Sequence, residues 1–86
     1  MFLEIEDSVR KHGCTDAEIT YVVMHHIGRQ GIRGVDNQAT FIFVGHPRAG
    51  ALEHDYLEVG VAKWKDGTLQ VFHAMTLSSK WQRLIY

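Results

Sequence analysis

The chain has 86 residues, 45% of them hydrophobic, with nine Lys+Arg against ten Asp+Glu and a formal charge of -1. That length holds one domain, residues 1–86, and the charge counts against a strongly cationic nucleic-acid binder without excluding a local basic patch. The single cysteine, Cys14, excludes an internal disulfide and multi-cysteine zinc sites, no apolar run nears the roughly 20 residues of a membrane helix, and the start lacks a basic signal segment, so the expectation is a cytoplasmic protein without a membrane partner.

Glu6 to His12 reads as a short helix, closed by Lys11, His12 and Gly13, because cations in a last turn and a glycine beyond it are the usual C-terminal pattern. Thr15-Asp16-Ala17-Glu18 is a capping box: Thr15 accepts from the N–H of Glu18, and Glu18 reaches back to the N–H of Thr15. Ile19, Val22, Val23 and Ile27 then recur at helical spacing, with Gly28 as the stop. Ile32-Arg33-Gly34-Val35 reads as a weak strand ending at Asp36-Asn37. Thr40 to Val44 is a continuous apolar run of the kind found in interior strands. A loop from His46 to Asp55 follows, holding Pro47 and Gly50. Leu57 to Lys65 and Thr68 to Met75 form a hairpin about Asp66-Gly67. A last helix starts near Ser78 or Ser79; Ser79-Lys80-Trp81-Gln82 fits a capping box, and Trp81, Leu84 and Ile85 are its apolar stripe. The expected class is α+β: two N-terminal helices, a three- or four-stranded antiparallel sheet and a C-terminal helix.

A two-residue Asp66-Gly67 turn would set Lys65 opposite Thr68, then Trp64 with Leu69, Ala62 with Val71, Gly60 with His73, and Glu58 with Met75. One face then carries Leu57, Val59, Val61, Phe72 and Ala74 toward the helices. On the other, His73 stands opposite a residue without a side chain, and Glu58 lies one diagonal step away, roughly 7–8 Å. Histidine exchanges a proton near neutral pH, and a carboxylate beside it orients the ring, so the pair suits acid/base chemistry. Lys80 and Arg83 suit a phosphate at the start of the last helix. The same residues also read as a satisfied polar pair beside solvated cations.

Other candidates carry less. His25 and His26 are adjacent and so do not share a helix face, and His46, Glu53, His54 and Asp55 match no ligand spacing, so no metal is expected. No cofactor loop is present; the glycines at 28, 31 and 34 fit a flexible turn and a bulged strand instead. Cys14 fits a tight helix connection. The cations, among them Arg48 on the loop and Lys11 on the first helix, alternate with Tyr56, Trp64, Trp81 and Tyr86. That mixture suits RNA, held by phosphate contacts and base stacking, as well as an ordinary solvated surface.

Lys11-His12-Gly13, followed by the helix start Thr15-Asp16-Ala17-Glu18, resembles the Lys-His-Gly-x-x-x-x-Glu start of BrnT-type toxins, the toxin halves of bacterial type II toxin–antitoxin pairs. Ala39 to Gly45 resembles their second strand, and Leu57 to Lys65 and Leu69 to Ala74 resemble their last two. The resemblance implies a RelE-like fold and a ribonuclease that cuts RNA without a metal or cofactor, the 2′-hydroxyl acting as nucleophile, neutralised by a cognate antitoxin protein. Lys11 and His12 match the Lys-His of the family, and Lys80 and Arg83 fall in its basic helix. His73-Ala74-Met75 stands where those toxins have Ser-Ala-Arg, so that arginine is absent. The expectation is catalysis by His73, Glu58 and Lys80, RNA contacts from Arg83, Lys11, His12 and Arg48, and a possible homodimer. The alternative is a non-catalytic, diverged relative that serves as a protein-interaction module.

Overall fold

Strands β1 (Phe2–Ile5), β2 (Gly28–Ile32), β3 (Ala39–Gly45), β4 (Leu57–Lys63) and β5 (Thr68–Thr76) make one sheet in the order β1-β5-β4-β3-β2. This is a computed structural model, and it describes residues 2–33 and 39–86. β1 runs parallel to β5, and the remaining neighbours are antiparallel. Among the described residues one α-helix, α1 (Asp16–His25), and two six-residue 3-10 helices, Asp7–His12 and Ser79–Leu84, accompany the sheet.

Helix α1 starts where the capping chemistry requires. The Glu18 N–H donates to Thr15 Oγ1 at 3.1 Å, and the Thr15 N–H donates to Glu18 Oε1 at 2.9 Å. Ile19, Val22 and Val23 are buried by the helix against one face of the sheet. The helix ends at His25, earlier than the apolar spacing predicts, because the chain turns directly into the sheet: the Ile27 N–H donates to the Val44 carbonyl at 2.8 Å. Ile27 is therefore exposed, and Gly28 opens a strand instead of closing a helix.

The two sheet faces hold separate apolar clusters. On one, Val9 of the first 3-10 helix and Ile19, Val22 and Val23 of α1 cover Phe43, Val59, Val61, Val71 and Ala74. On the other, Trp81 of the second 3-10 helix covers Ile42 and Val44, with Leu84 and Ile85 beside it. Each fully buried valine, such as Val59, Val61 or Val71, contributes roughly 1.5–3 kcal/mol relative to exposure. Gly28 lets the second helix press close, since a β-carbon there would run into the Leu84 carbonyl oxygen.

The expected antiparallel sheet of three or four strands, and with it the RelE-like arrangement of two N-terminal helices and a C-terminal helix, is corrected to a five-stranded mixed sheet with, among the described residues, a single α-helix. β1 is only four residues long and pairs in parallel with the most distant strand, so nothing in its neighbourhood announces it. The segment Asp7–His12 is too short for a regular α-helix and winds as a 3-10 helix that ends in left-handed Gly13. The last segment is likewise 3-10; its N-cap is Ser78, which makes no side-chain cap bond, so the expected Ser79–Gln82 box does not form. Of the predicted strand Ile32 to Val35, Ile32 ends β2, and Gly34, Val35, Asp36 and Asn37 lie outside the described residues.

The β4–β5 hairpin contains two irregularities. Its connection is three residues, Lys65-Asp66-Gly67, with Gly67 at φ 92° and the Gly67 N–H donating to the Trp64 carbonyl at 3.0 Å. Next to the turn Lys63 therefore pairs with Leu69, one step away from the expected register. Farther out the register shifts back: Val61 pairs with Val71, but Gly60 pairs with His73, leaving Phe72 as an extra residue in a β-bulge. Beyond it Gly60 opposes His73 and Glu58 opposes Met75. The three-residue connection puts Val71 opposite Val61 in the core, and the bulge then leaves Phe72 37% exposed, the reverse of the expected facing.

Candidate functional site

Glu58 and His73 meet on the face covered by the second 3-10 helix. Glu58 pairs with Val44 and Gly60 with Ile42, and both partners belong to the Trp81 cluster. Nε2 of His73 lies 2.7 Å from Oε2 of Glu58. The other carboxylate oxygen, Oε1, accepts the Ser78 backbone N–H at 2.6 Å. The carboxylate is thus held between a side chain of β5 and the chain segment that enters the last helix. The Glu58 side chain is 3% exposed, and that of His73 is 33% exposed.

Burial pushes the Glu58 carboxyl up, but the hydrogen bonds from Ser78 and His73 outweigh it and hold the group below its ordinary value. Glu58 is therefore ionised and acts as an acceptor on both oxygens. The hydrogen shared with His73 then sits on Nε2, which leaves Nδ1 of a neutral ring as the lone-pair nitrogen. Among the described residues Nδ1 has no hydrogen-bond partner. A partly exposed imidazole, oriented by a buried carboxylate and with one nitrogen open, can take up and return a proton.

The remaining predicted site residues are dispersed. Lys80 and Arg83 belong to the layer that covers this face, and both cations approach Trp81, at 5.2 Å and 5.3 Å from its ring centroid. Arg83 also donates to Gln30 Oε1. Lys11 and His12 lie on the first 3-10 helix, whose Val9 belongs to the cluster on the opposite face. Arg48 is held by Glu18 at 2.6 Å and Asp55 at 3.4 Å. So Glu58 and His73 come together, Lys80 and Arg83 share their side of the sheet, and Lys11 and His12 occupy the other.

Two participants escape sequence reasoning. Ser78 contributes through its backbone, which has no residue signature. Phe72 arrives on the His73 side only through the bulge, and its sequence position marks it as a core residue. No group of three or more His, Cys, Asp or Glu side chains among the described residues is placed to hold a metal ion. No helix among them is long and apolar enough to cross a membrane. Compared with protein-family models, curated proteins and solved structures, the chain matches none.

Proposed function

We propose that the chain cleaves RNA by metal-independent acid/base chemistry, with His73 as the proton-transfer group and Glu58 as the residue that positions it. The observation that carries this reading is the Nε2–Glu58 contact at 2.7 Å, which locks the ring while leaving Nδ1 open. Nδ1 would accept the proton of a ribose 2′-hydroxyl as that oxygen attacks the adjoining phosphorus. The 5′-oxygen would leave as the protonated His73 returns that proton to it through a water molecule, giving a 2′,3′-cyclic phosphate and restoring the ring. Lys80 and Arg83, on the same side of the sheet, would draw the polyanion and balance charge on the phosphorane. In the cell this reading corresponds to a cytoplasmic toxin of the kind the sequence resembles, with an antitoxin as its partner.

The test is cleavage of single-stranded RNA by the purified chain in the presence of a chelator. The expected result is cyclic-phosphate ends, with a loss of about 100-fold or more in His73→Ala, the usual weight of an acid/base group. Intact RNA with the native chain, or unchanged cleavage in His73→Ala, removes the proposal. A second reading, a non-catalytic interaction module, has one observation in its favour: Lys80 and Arg83 rest on Trp81, and Arg83 also bonds Gln30. It predicts intact RNA and normal growth when the chain is expressed alone.

A further inference from the structure

Consecutive residues of a regular strand point to opposite faces of the sheet. At the β5 bulge they do not. A β-carbon built on Gly60 would lie 2.8 Å from Cζ and 2.9 Å from Cε1 of Phe72, and 3.1 Å from Cβ of His73. Both side chains therefore stand over the same spot. Phe72 is exposed although its neighbour Val71 is fully buried, so the bulge presents a phenyl ring to solvent over Gly60, on the side of the sheet from which the His73 side chain starts. Trp64 extends the row: its Nε1 donates to Gln70 Oε1 at 3.0 Å, and Gln70 pairs with Ala62, two residues from Gly60 and on the same face.

Charge gives this aromatic platform a direction. Toward the β1 edge, a groove is lined by Glu4, Glu6, Asp7 and Gln70. Toward the interior of the sheet, the last 3-10 helix follows Ser78 and brings Lys80 and Arg83. A polyanion crossing this face is repelled on the first side and attracted on the second.

We infer that Phe72 is a base-stacking residue: it holds one nucleotide of a single-stranded RNA beside Nδ1 of His73, with the strand leading toward Lys80 and Arg83 and away from the acidic edge. The inference rests on the RNA reading of the site and adds the group that positions the substrate. Stacking on an aromatic face tolerates every base, so the contact fixes the distance between nucleotide and imidazole without selecting a sequence.

The experiment has a binding arm and a cleavage arm, both with the whole chain. Binding is measured by NMR titration with a short mixed-sequence RNA carrying 2′-O-methyl groups throughout, which cannot be cleaved by 2′-hydroxyl attack. The native chain binds with shifts at the Phe72 ring, Phe72→Leu binds about tenfold more weakly, and Phe72→Trp restores binding. In the cleavage arm, Phe72→Leu raises KM by a similar factor with kcat nearly kept, a division that a folding defect does not produce. Equal binding by native and Phe72→Leu chains, or no binding by the native chain, overturns the inference. Binding that depends on Phe72 with no cleavage removes the catalytic reading and leaves the stacking role. Cleavage that depends on His73 with unchanged KM in Phe72→Leu removes the stacking role alone.

Discussion

The Phe72 ring occupies the space over Gly60 that any side chain at residue 60 would need, with its Cζ 2.8 Å from the position of a β-carbon there. Gly60→Ala therefore forces the ring, or the bulge that carries it, to move. The ring is partly exposed and swings aside more easily than a core side chain, so the expected outcome is a moved ring at a small cost in stability. The displacement reaches His73, whose own Cβ lies 3.1 Å from that point. Denaturant unfolding together with the ring resonances of Phe72 and His73 checks this. An unchanged midpoint with unmoved resonances contradicts it.

Glu58 gives a pH dependence of definite sign. Its carboxyl lies below the ordinary 4.5 in the folded chain, against the effect of burial, because Ser78 and His73 bond the ionised form. The ionised group therefore contributes stability above 4.5, and that contribution is lost as the pH falls through the lower folded-state value. Glu58→Gln keeps an acceptor for Ser78 but loses the charge, at a cost of about 1–2 kcal/mol near neutrality. The difference between native and variant stability should shrink as the solution is acidified below pH 4.5. A difference that stays constant over that range would show that the charge of Glu58 is not what matters.

Thr15 and Arg48 both bond Glu18, but with unequal consequence. Thr15→Ala removes the acceptor for the Glu18 N–H and should lower stability by about 1 kcal/mol. Arg48 is more than half exposed, so its pairs with Glu18 and Asp55 are screened by solvent, and Arg48→Ala should cost clearly less than Thr15→Ala. Parallel thermal melts decide the order. A larger loss at Arg48 would mean that its pairs anchor the 46–56 loop on α1.

Gly28 sets the seat of the C-terminal segment. Gly28→Ala pushes a methyl group against the Leu84 carbonyl oxygen and should lift the last 3-10 helix from β2. Trp81, 8% exposed, then gains water contact. Trp64 is 44% exposed and would mask the signal, so the measurement is made in a Trp64→Phe background. The expected outcome is red-shifted Trp81 emission and a loss of about 1–3 kcal/mol. Unchanged emission would place the strain elsewhere.

The sequence makes part of this arrangement legible, in one instance through two offsetting irregularities. The Thr15–Glu18 box is local chemistry and forms as written. The Gly60–His73 and Glu58–Met75 pairs follow from a two-residue turn at Asp66-Gly67, yet the connection has three residues, and the bulge at Phe72 restores the register. Between the two irregularities the facing of Val71 and Phe72 was not legible, because hydrophobicity alone favours either of them inside. β1 was hidden by its parallel, long-range pairing, and the two 3-10 segments by being too short to develop a helical period. The clamp from Ser78 is a backbone donor, and every residue but proline has one.

The parallel pairing of β1 with β5 has a consequence for biosynthesis. Of the five strands, the earliest in the chain is completed by the latest, since Phe2 through Ile5 align with Thr68 through Val71. Until those residues emerge, Leu3 and Ile5 lack part of the cluster they pack against, and the N-terminal segment waits while β2, β3 and β4 are made. Closing the β1–β5 seam joins residues far apart in the chain, which makes it a late event in folding.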